Sequence, residues 1–333
     1  METKNVVYLS YGNENEYRRT IFSICSLLSW YEAQPTRIRL IIYTDNPSFF
    51  QTYFSSRDDI EYFFLSEGMM SQMRGNHQFF HRIKVSVIDI TFKNYPDNDM
   101  VFVDSDTFFI THPKILFEKF EVDKSFMHTR EYKLSESVDR FAVFNQEQYP
   151  KAFINFIDDR EFLIGERLEK FGIDDYSWNS GALGLHSKFS LYMPSVLDLT
   201  DQFYANSKWF ISEQMAFSLI LQHKTLIKPC DNLIFHYWGA RQKLLMDVLI
   251  KNTLHQLISS SFVLNKRCIR SLTKKCRRIV EADLLLDQIR ISILNRSYYY
   301  GLKKITQLIL KDPKHFVPLL YNEIQSVNGK QSV

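Results

Sequence analysis

Along the first hundred residues, short apolar runs alternate with segments whose apolar positions recur every three or four residues. Residues 5–10 (NVVYLS), 38–43 (IRLIIY) and 60–65 (IEYFFL) are β-branched and aromatic, the pattern of buried strands. After a Gly12-Asn13 turn, Ile21, Ile24, Cys25, Leu28 and Tyr31 keep helical spacing over residues 16–31, and Pro35 closes that segment. A second helix is predicted over residues 77–92, leading through Tyr95-Pro96-Asp97-Asn98 into the apolar run 100–103. Strand, helix and strand repeated in this way predict an α/β layer with a mostly parallel central sheet. Further strands are expected at 125–129 and 182–185, a helix at 211–222, and an extended stretch at 225–228 before Pro229. Beyond Gly239 the texture becomes rich in Leu, Ile, Lys and Arg with helical period. A boundary is therefore expected near Arg241, with an α/β domain over residues 1–240 and a basic, mostly helical region over 241–333. No internal repeat of solenoid length is present.

Composition narrows the class. The 333 residues are 45% hydrophobic and 24% charged, with 10 Gly and 9 Pro, which fits an ordered globular chain and excludes collagen-like or low-complexity sequence. Cys25, Cys230, Cys268 and Cys276 show no CxxC spacing, so they read as reduced thiols, neither a zinc knuckle nor a disulfide framework. The opening METKNVVYLSYGNENE has no basic head before an apolar stretch, and no run of about eighteen apolar residues follows anywhere. A cytoplasmic protein is the expectation.

Charge changes the picture more. The balance of 41 Lys+Arg and 38 Asp+Glu is +3, but from Arg241 onward 17 basic residues stand against 6 acidic, a surplus of 11. The first 240 residues hold 24 basic and 32 acidic, a deficit of 8. The densest basic stretch comprises Lys266, Arg267, Arg270, Lys274, Lys275, Arg277 and Arg278, with Ile269, Leu272, Ile279 and Val280 between. A solvated helix face is one reading. Peripheral binding to an anionic membrane surface is the other, at about 1 kcal/mol per basic residue near the headgroups. Nucleic acid is disfavoured because no recognised binding motif accompanies the charge. Tyr298-Tyr299-Tyr300 suits either a membrane interface or interhelical packing.

The most informative segment is Met100-Val101-Phe102-Val103-Asp104-Ser105-Asp106-Thr107. Two acids follow directly on a buried strand, at the edge where open α/β sheets bind ligands. Carboxylate pairs hold hard cations such as Mg²⁺, which commonly bridge to a diphosphate. A turn or helix cap is the structural alternative. Aspartate-based phosphatases share an Asp-x-Asp, but Phe108 stands where their signature has Thr or Val. Nucleotide-sugar glycosyltransferases with a Rossmann-like domain share it too.

The longest match is HRIKVSVIDITFKNYPDNDMVFVDSDTFF, residues 81–109, and with it the chain resembles the glycogenin-like (family 8-type) retaining glycosyltransferases of the GT-A fold. Lys84 resembles the family's diphosphate-binding lysine, and Asp104 and Asp106 its metal-binding pair, with Ser105 between. Asn179-Ser180-Gly181 looks like the block lining the donor sugar, and Glu213-Gln214 stands in place of an Asp-Gln pair. His236-Tyr237-Trp238-Gly239 looks like the His-x-x-Gly block that completes metal coordination. The family's C-terminal lysine position falls on Gln242, flanked by Arg241 and Lys243. Leu9, Ser10, Tyr11 and Asp45 match the positions that hold the nucleotide base. The likeness covers residues 5–243.

The resemblance implies a metal-dependent transfer of sugar from a nucleotide diphosphate sugar, a UDP-sugar, with retention. The acceptor is a glycan, a lipid-linked molecule or a protein. Asp104, Asp106 and His236 form a mixed O/N donor set suited to Mn²⁺ and compatible with Mg²⁺. Asn179, Glu213 and Gln214 line the reacting sugar; in an inverting enzyme Glu213 or Asp175 is the candidate general base. A catalytically silent nucleotide-sugar-binding or scaffold protein of the same fold is the competing class. His77 and His81, four apart, have zinc spacing but no third ligand, and read as ordinary histidines.

Overall fold

The computed structural model describes residues 3–31, 37–55, 57–118, 120–142, 144–258, 265–294 and 298–311. Pro35 and residues 312–333 of the expected helical region lie outside the described residues. The chain divides into two compact units, Met1–His236 and Tyr237–Val333.

The first unit is a mixed α/β structure. It runs β1 (Thr3–Leu9), α1 (Glu14–Trp30), β2 (Arg37–Thr44), α2 (Pro47–Phe54), β3 (Ile60–Phe64), α3 (Glu67–Met73), α4 (Arg82–Asn94), β4 (Met100–Val103), β5 (Thr107–Phe109) and α5 (Lys114–Phe117). It continues with β6 (Lys124–Met127), β7 (Arg130–Lys133), α6 (Leu134–Ala142), α7 (Gln148–Ile157), β8 (Glu161–Ile164), β9 (Arg167–Lys170), β10 (Tyr176–Trp178) and β11 (Ala182–Leu185). Last come α8 (Met193–Ser207), α9 (Ser212–Lys224), β12 (Leu226–Pro229) and β13 (Ile234–His236).

Seven strands form the central sheet in the order β12-β6-β11-β4-β1-β2-β3. The β3-β2-β1-β4 and β12-β6 pairings are parallel, and β11 alone runs antiparallel, between β4 and β6. Val6, Val7, Leu40, Ile41, Ile42, Val101 and Phe102 are buried on both sides of it, which is why these strands read as continuous apolar runs and not as alternation. Asn13 caps α1, its side chain accepting from Asn15 N and Glu16 N, after Gly12 turns the chain at φ 93°.

The strands expected at 5–10, 38–43, 60–65, 100–103 and 182–185 fall on β1, β2, β3, β4 and β11. The helix expected from 77 begins only at Arg82. Gly75 and Gln78 hold positive φ (67° and 49°), and Phe79 N donates to Arg74 O at 3.0 Å, so 74–81 is a turn. His77 and His81 therefore do not share a helix face.

The second unit consists of α10 (Ala240–Ile258), α11 (Lys266–Leu294) and α12 (Tyr298–Lys311). Ala282, Leu285, Leu286, Ile289 and Leu308 form its apolar core between α11 and α12. Among the described residues no helix is long and apolar enough to cross a membrane.

Candidate metal centre

The reversed strand builds the site. Because β11 is antiparallel to β4, it starts where β4 ends: Ala182 pairs with Val103, and Asp104 N donates to Gly181 O at 2.9 Å. The turn Asn179-Ser180-Gly181 thus faces the Asp104-Ser105-Asp106 loop. A short antiparallel pair, β13 with β5, adds the last part, since its register sets His236 opposite Thr107. Asp104, Asp106 and His236 are brought together with one ligand atom of each within 4.8 Å of the others.

Hydrogen bonding fixes how each side chain points. Gly181 N–H donates to Asn179 Oδ1 at 3.0 Å, while Asn179 Nδ2 donates to Glu131 Oε1 at 3.2 Å. A backbone N–H can only donate and a carboxylate only accept, so the amide orientation is unambiguous. His236 Nδ1, 2.8 Å from that same Oδ1, must then carry the proton. In the neutral imidazole Nε2 then has the lone pair, 3.2 Å from Asp106 Oδ1. Two acceptors facing each other need a cation or proton between them. Ligands about 2.1 Å from an octahedral ion lie about 3 Å apart at right angles, so the donor set and spacing fit a divalent cation. Gly181 is required here, because a Cβ at this position would run into the His236 ring.

Lys84 enters from α4, buried, and its three N–H groups reach Ser180 O (2.6 Å), Ser180 Oγ (3.0 Å) and Asp104 Oδ2 (3.1 Å). Since the ammonium only donates, the Ser180 hydroxyl proton turns to Glu213 Oε1 at 3.3 Å. Glu213, 6% exposed in the first turn of α9, has its other oxygen, Oε2, buried without a hydrogen-bond donor. The positive end of the helix favours its charge.

A polar ladder sets the register of α9. Gln214, Ser218 and Gln222, four apart, face the strand edge. Ser218 Oγ accepts from Trp178 N and donates to Trp178 O, and Gln222 does the same for Tyr176 through its amide. Gln214 accepts from Ser180 N at 3.3 Å and donates to Glu131 Oε2 at 2.9 Å. That ladder holds Glu213 at the site.

The expected base-binding residues cluster at the ends of β1 and β2. Ser10 N donates to Tyr43 O, and Asp45 accepts from Gly12 N (3.0 Å) and Tyr17 OH (2.7 Å). Tyr11 stacks obliquely on Phe80 at 5.4 Å, and burial pushes its phenol up. Leu9 is half-buried against the core. Ser105 Oγ donates to Glu16 Oε2 at 2.5 Å, tying the acidic loop to α1. Gly239, Arg241 and Lys243 belong to the second unit. There Arg241 (2.9 Å) and Gln242 (2.9 Å) both bind Asp283 on α11.

Three site residues were not expected from the sequence. Glu16 and Glu131 sit in charged strings that read as solvated surface. His128 is a lone histidine; its backbone N donates to Asn179 O, its Nε2 to Ile234 O at 3.0 Å, and its ring lies edge-on to His236 at 5.4 Å. Burial first, and His236 second, push its pKa down to about 3, so it stays neutral. Residues such as these carry no motif; only the Gln214-Ser218-Gln222 spacing was visible as a polar helix stripe.

Chemically, the arrangement can hold a divalent cation on two carboxylates and an imidazole, place an ammonium beside it for an anion, and offer Glu213 to a hydroxyl. No protein-family model matches the chain, and no curated protein matches it. Among solved structures, it is similar to mouse xyloside xylosyltransferase 1 in its apo form, at 14% identity and TM-score 0.44, over 78% of this chain and 94% of that one. It is similar to the galactosyltransferase LgtC with donor and acceptor sugar analogs at 9% identity and TM-score 0.42, over 67% and 72%. A glucose-1-phosphate thymidylyltransferase from Bacillus anthracis is similar at 10% identity and TM-score 0.38, over 74% and 95%.

Proposed function

We propose that the chain is a metal-dependent GT-A glycosyltransferase that moves a sugar from a UDP-sugar to a glycan, lipid-linked or protein acceptor with retention. The observation that carries the reading is the juxtaposition of Asp104, Asp106 and His236 with Lys84 and Glu213 at the carboxyl ends of β4 and β1. The two acids and the imidazole among these residues would hold a divalent cation, Mn²⁺ or Mg²⁺, which would supply Lewis-acid neutralisation of charge on a departing diphosphate.

The chain's own residues do the rest. Asp104, Asp106 and His236 Nε2 hold that cation, and Asn179 keeps the imidazole in the tautomer it needs. Lys84 adds a fixed positive charge, already paired and buried, so little reorganisation is needed when a phosphate arrives. Glu213 Oε2, a buried carboxylate oxygen lacking a donor, has an unmet requirement that a sugar hydroxyl meets. A carboxylate there would also stabilise positive charge on the reacting carbon. Ser10, Tyr11 and Asp45 bind the base. The basic second unit, with Arg267, Lys274 and Lys275 exposed on α11, binds an anionic membrane surface and keeps the enzyme near a lipid-linked acceptor.

Asp104→Asn and Asp106→Asn test the reading, assayed for release of free nucleotide and sugar across a panel of nucleotide sugars with Mn²⁺. Loss of turnover in both variants is expected. Undiminished turnover in both sinks the metal role; nucleotide binding without any transfer by the wild type favours a silent scaffold; phosphate release from an aryl phosphate favours a phosphatase.

A further inference from the structure

Glu131 stands in the second strand edge, half-buried, on β7. Three donors converge on its carboxylate: Ser177 Oγ at 3.0 Å, Asn179 Nδ2 at 3.2 Å and Gln214 Nε2 at 2.9 Å. None of the three has an alternative acceptor of equal charge in the network. Gln214 Nε2 also reaches Ser177 Oγ at 3.1 Å, which turns the Ser177 proton to Glu131. The carboxylate is therefore the sink of a directed chain of hydrogen bonds.

We propose that Glu131 is the positioning residue that sets the tautomer of the metal-binding His236, acting through Asn179. The relay runs from the Glu131 carboxylate to Asn179 Nδ2–H, through the planar amide to Oδ1, and on to His236 Nδ1–H. An acceptor-only group at one end forces an acceptor at the other, and so leaves Nε2 as the imidazole's lone-pair nitrogen beside Asp106. Through Gln214, the same carboxylate holds Gln214 Oε1 on Ser180 N, so the turn on which Lys84 rests is tied in as well. The proposal rests on the metal-site reading above, and it does not depend on which sugar is transferred.

Glu131→Gln is the incisive variant because it keeps size and shape. Its amide can present an acceptor to Ser177 and Gln214 or to Asn179, but not to all three. With an N–H turned towards Asn179, the Asn179 amide keeps only the Gly181 N–H, at 3.0 Å, to hold Oδ1 on the His236 side. The experiment is a long-range ¹H–¹⁵N correlation of the His236 ring in the full-length, metal-free protein, at a pH where the imidazole is neutral, paired with titration of Mn²⁺ alone by calorimetry. The wild type is expected to show the Nδ1–H form, and E131Q to lose it with about 10–100-fold weaker Mn²⁺ binding, the usual effect of removing an outer-shell partner. An Nε2–H form in the wild type overturns the proposal without any variant, so a failure of E131Q to fold does not shelter it. An unchanged tautomer in E131Q overturns it whatever happens to affinity, and so does a changed tautomer with unchanged affinity. Absence of sugar transfer by a protein that passes both measurements counts against the glycosyltransferase reading alone.

Discussion

The two units handle charge in opposite ways. In the first, the ammonium of Lys84 is buried and meets three acceptors, and Asn179, Ser180, Glu213 and Gln214 are buried around it in one continuous network. In the second, Ile269, Thr273, Cys276 and Val280 keep helical spacing on the covered side of α11, while Lys266, Arg267, Lys274, Lys275, Arg277 and Arg278 are exposed. A buried charge is specific because every proton and lone pair must be matched, and it is costly to disturb for the same reason. An exposed charge is screened and replaceable, and acts only as part of a field.

The largest effect is expected at Lys84. Lys84→Met leaves Asp104 and Ser180 facing a methyl group and should destabilise the first unit by about 2–5 kcal/mol, since the Ser180 carbonyl and hydroxyl lose a buried donor at about 1–3 kcal/mol each while half-buried Asp104 loses its partner. Urea unfolding followed by near-ultraviolet circular dichroism checks it; a loss under about 1 kcal/mol would mean that the network is not a matched one. Next, Leu286→Ala in the α11–α12 core should cost about 2–5 kcal/mol in the second unit. Hydrogen exchange should quicken in α11 and α12 amides while β4 and β11 amides keep their protection. Spread of the effect into β4 would show that the units do not unfold separately.

A smaller effect is expected from pH. His223 on α9 sits between Asp175 (3.1 Å) and Glu169 (3.6 Å), with Lys224 beside it on the same carboxylate, Glu169. The hydrogen bond to Asp175 is the main cause that raises its pKa above 6.5, against burial. A raised folded pKa means that its stabilisation is complete below about 6.5 and is lost as pH rises through the folded value. The melting temperature of the wild type should therefore fall over that rise, and His223→Gln should flatten that limb; an unaltered slope refutes the linkage. The smallest stability effect belongs to the double variant Lys274→Glu and Lys275→Glu. It should change stability by no more than about 0.5 kcal/mol, yet weaken co-sedimentation with anionic vesicles at low salt. Equal co-sedimentation of the variant and the wild type would remove α11 as a membrane-binding face.

Much of the fold was legible because long apolar runs have few alternatives. The runs at β1, β2, β4 and β11 are buried on both faces, and α1 keeps apolar residues at helical spacing from Ile21 through Ile24 and Cys25 to Leu28. Asp104 and Asp106 were legible because two acids directly after an apolar run stand out. The start of α4 was not, since Phe79 and Phe80 keep the apolar rhythm although Gly75 and Gln78 turn the backbone. The strands β5, β7, β10 and β13 are three or four residues long, too short for any period. Glu131 was hidden for another reason: in the string Arg130-Glu131-Tyr132-Lys133 nothing distinguishes a carboxylate that gathers three donors from one in water.

Neighbouring residues in the sequence were enough to locate the strands of the central sheet and the helices α1 and α9, the change in the sign of charge, and the two acids that follow β4. Those are properties of neighbours, set by backbone sterics and the burial of apolar side chains. The tertiary structure decided that β11 runs backwards beside β4, that β13 pairs with β5, and that Glu131, Asn179 and His236 share one line of protons. Each of these joins residues scores of positions apart in the chain, and a proton's direction depends on partners that only the folded chain brings within 3.2 Å.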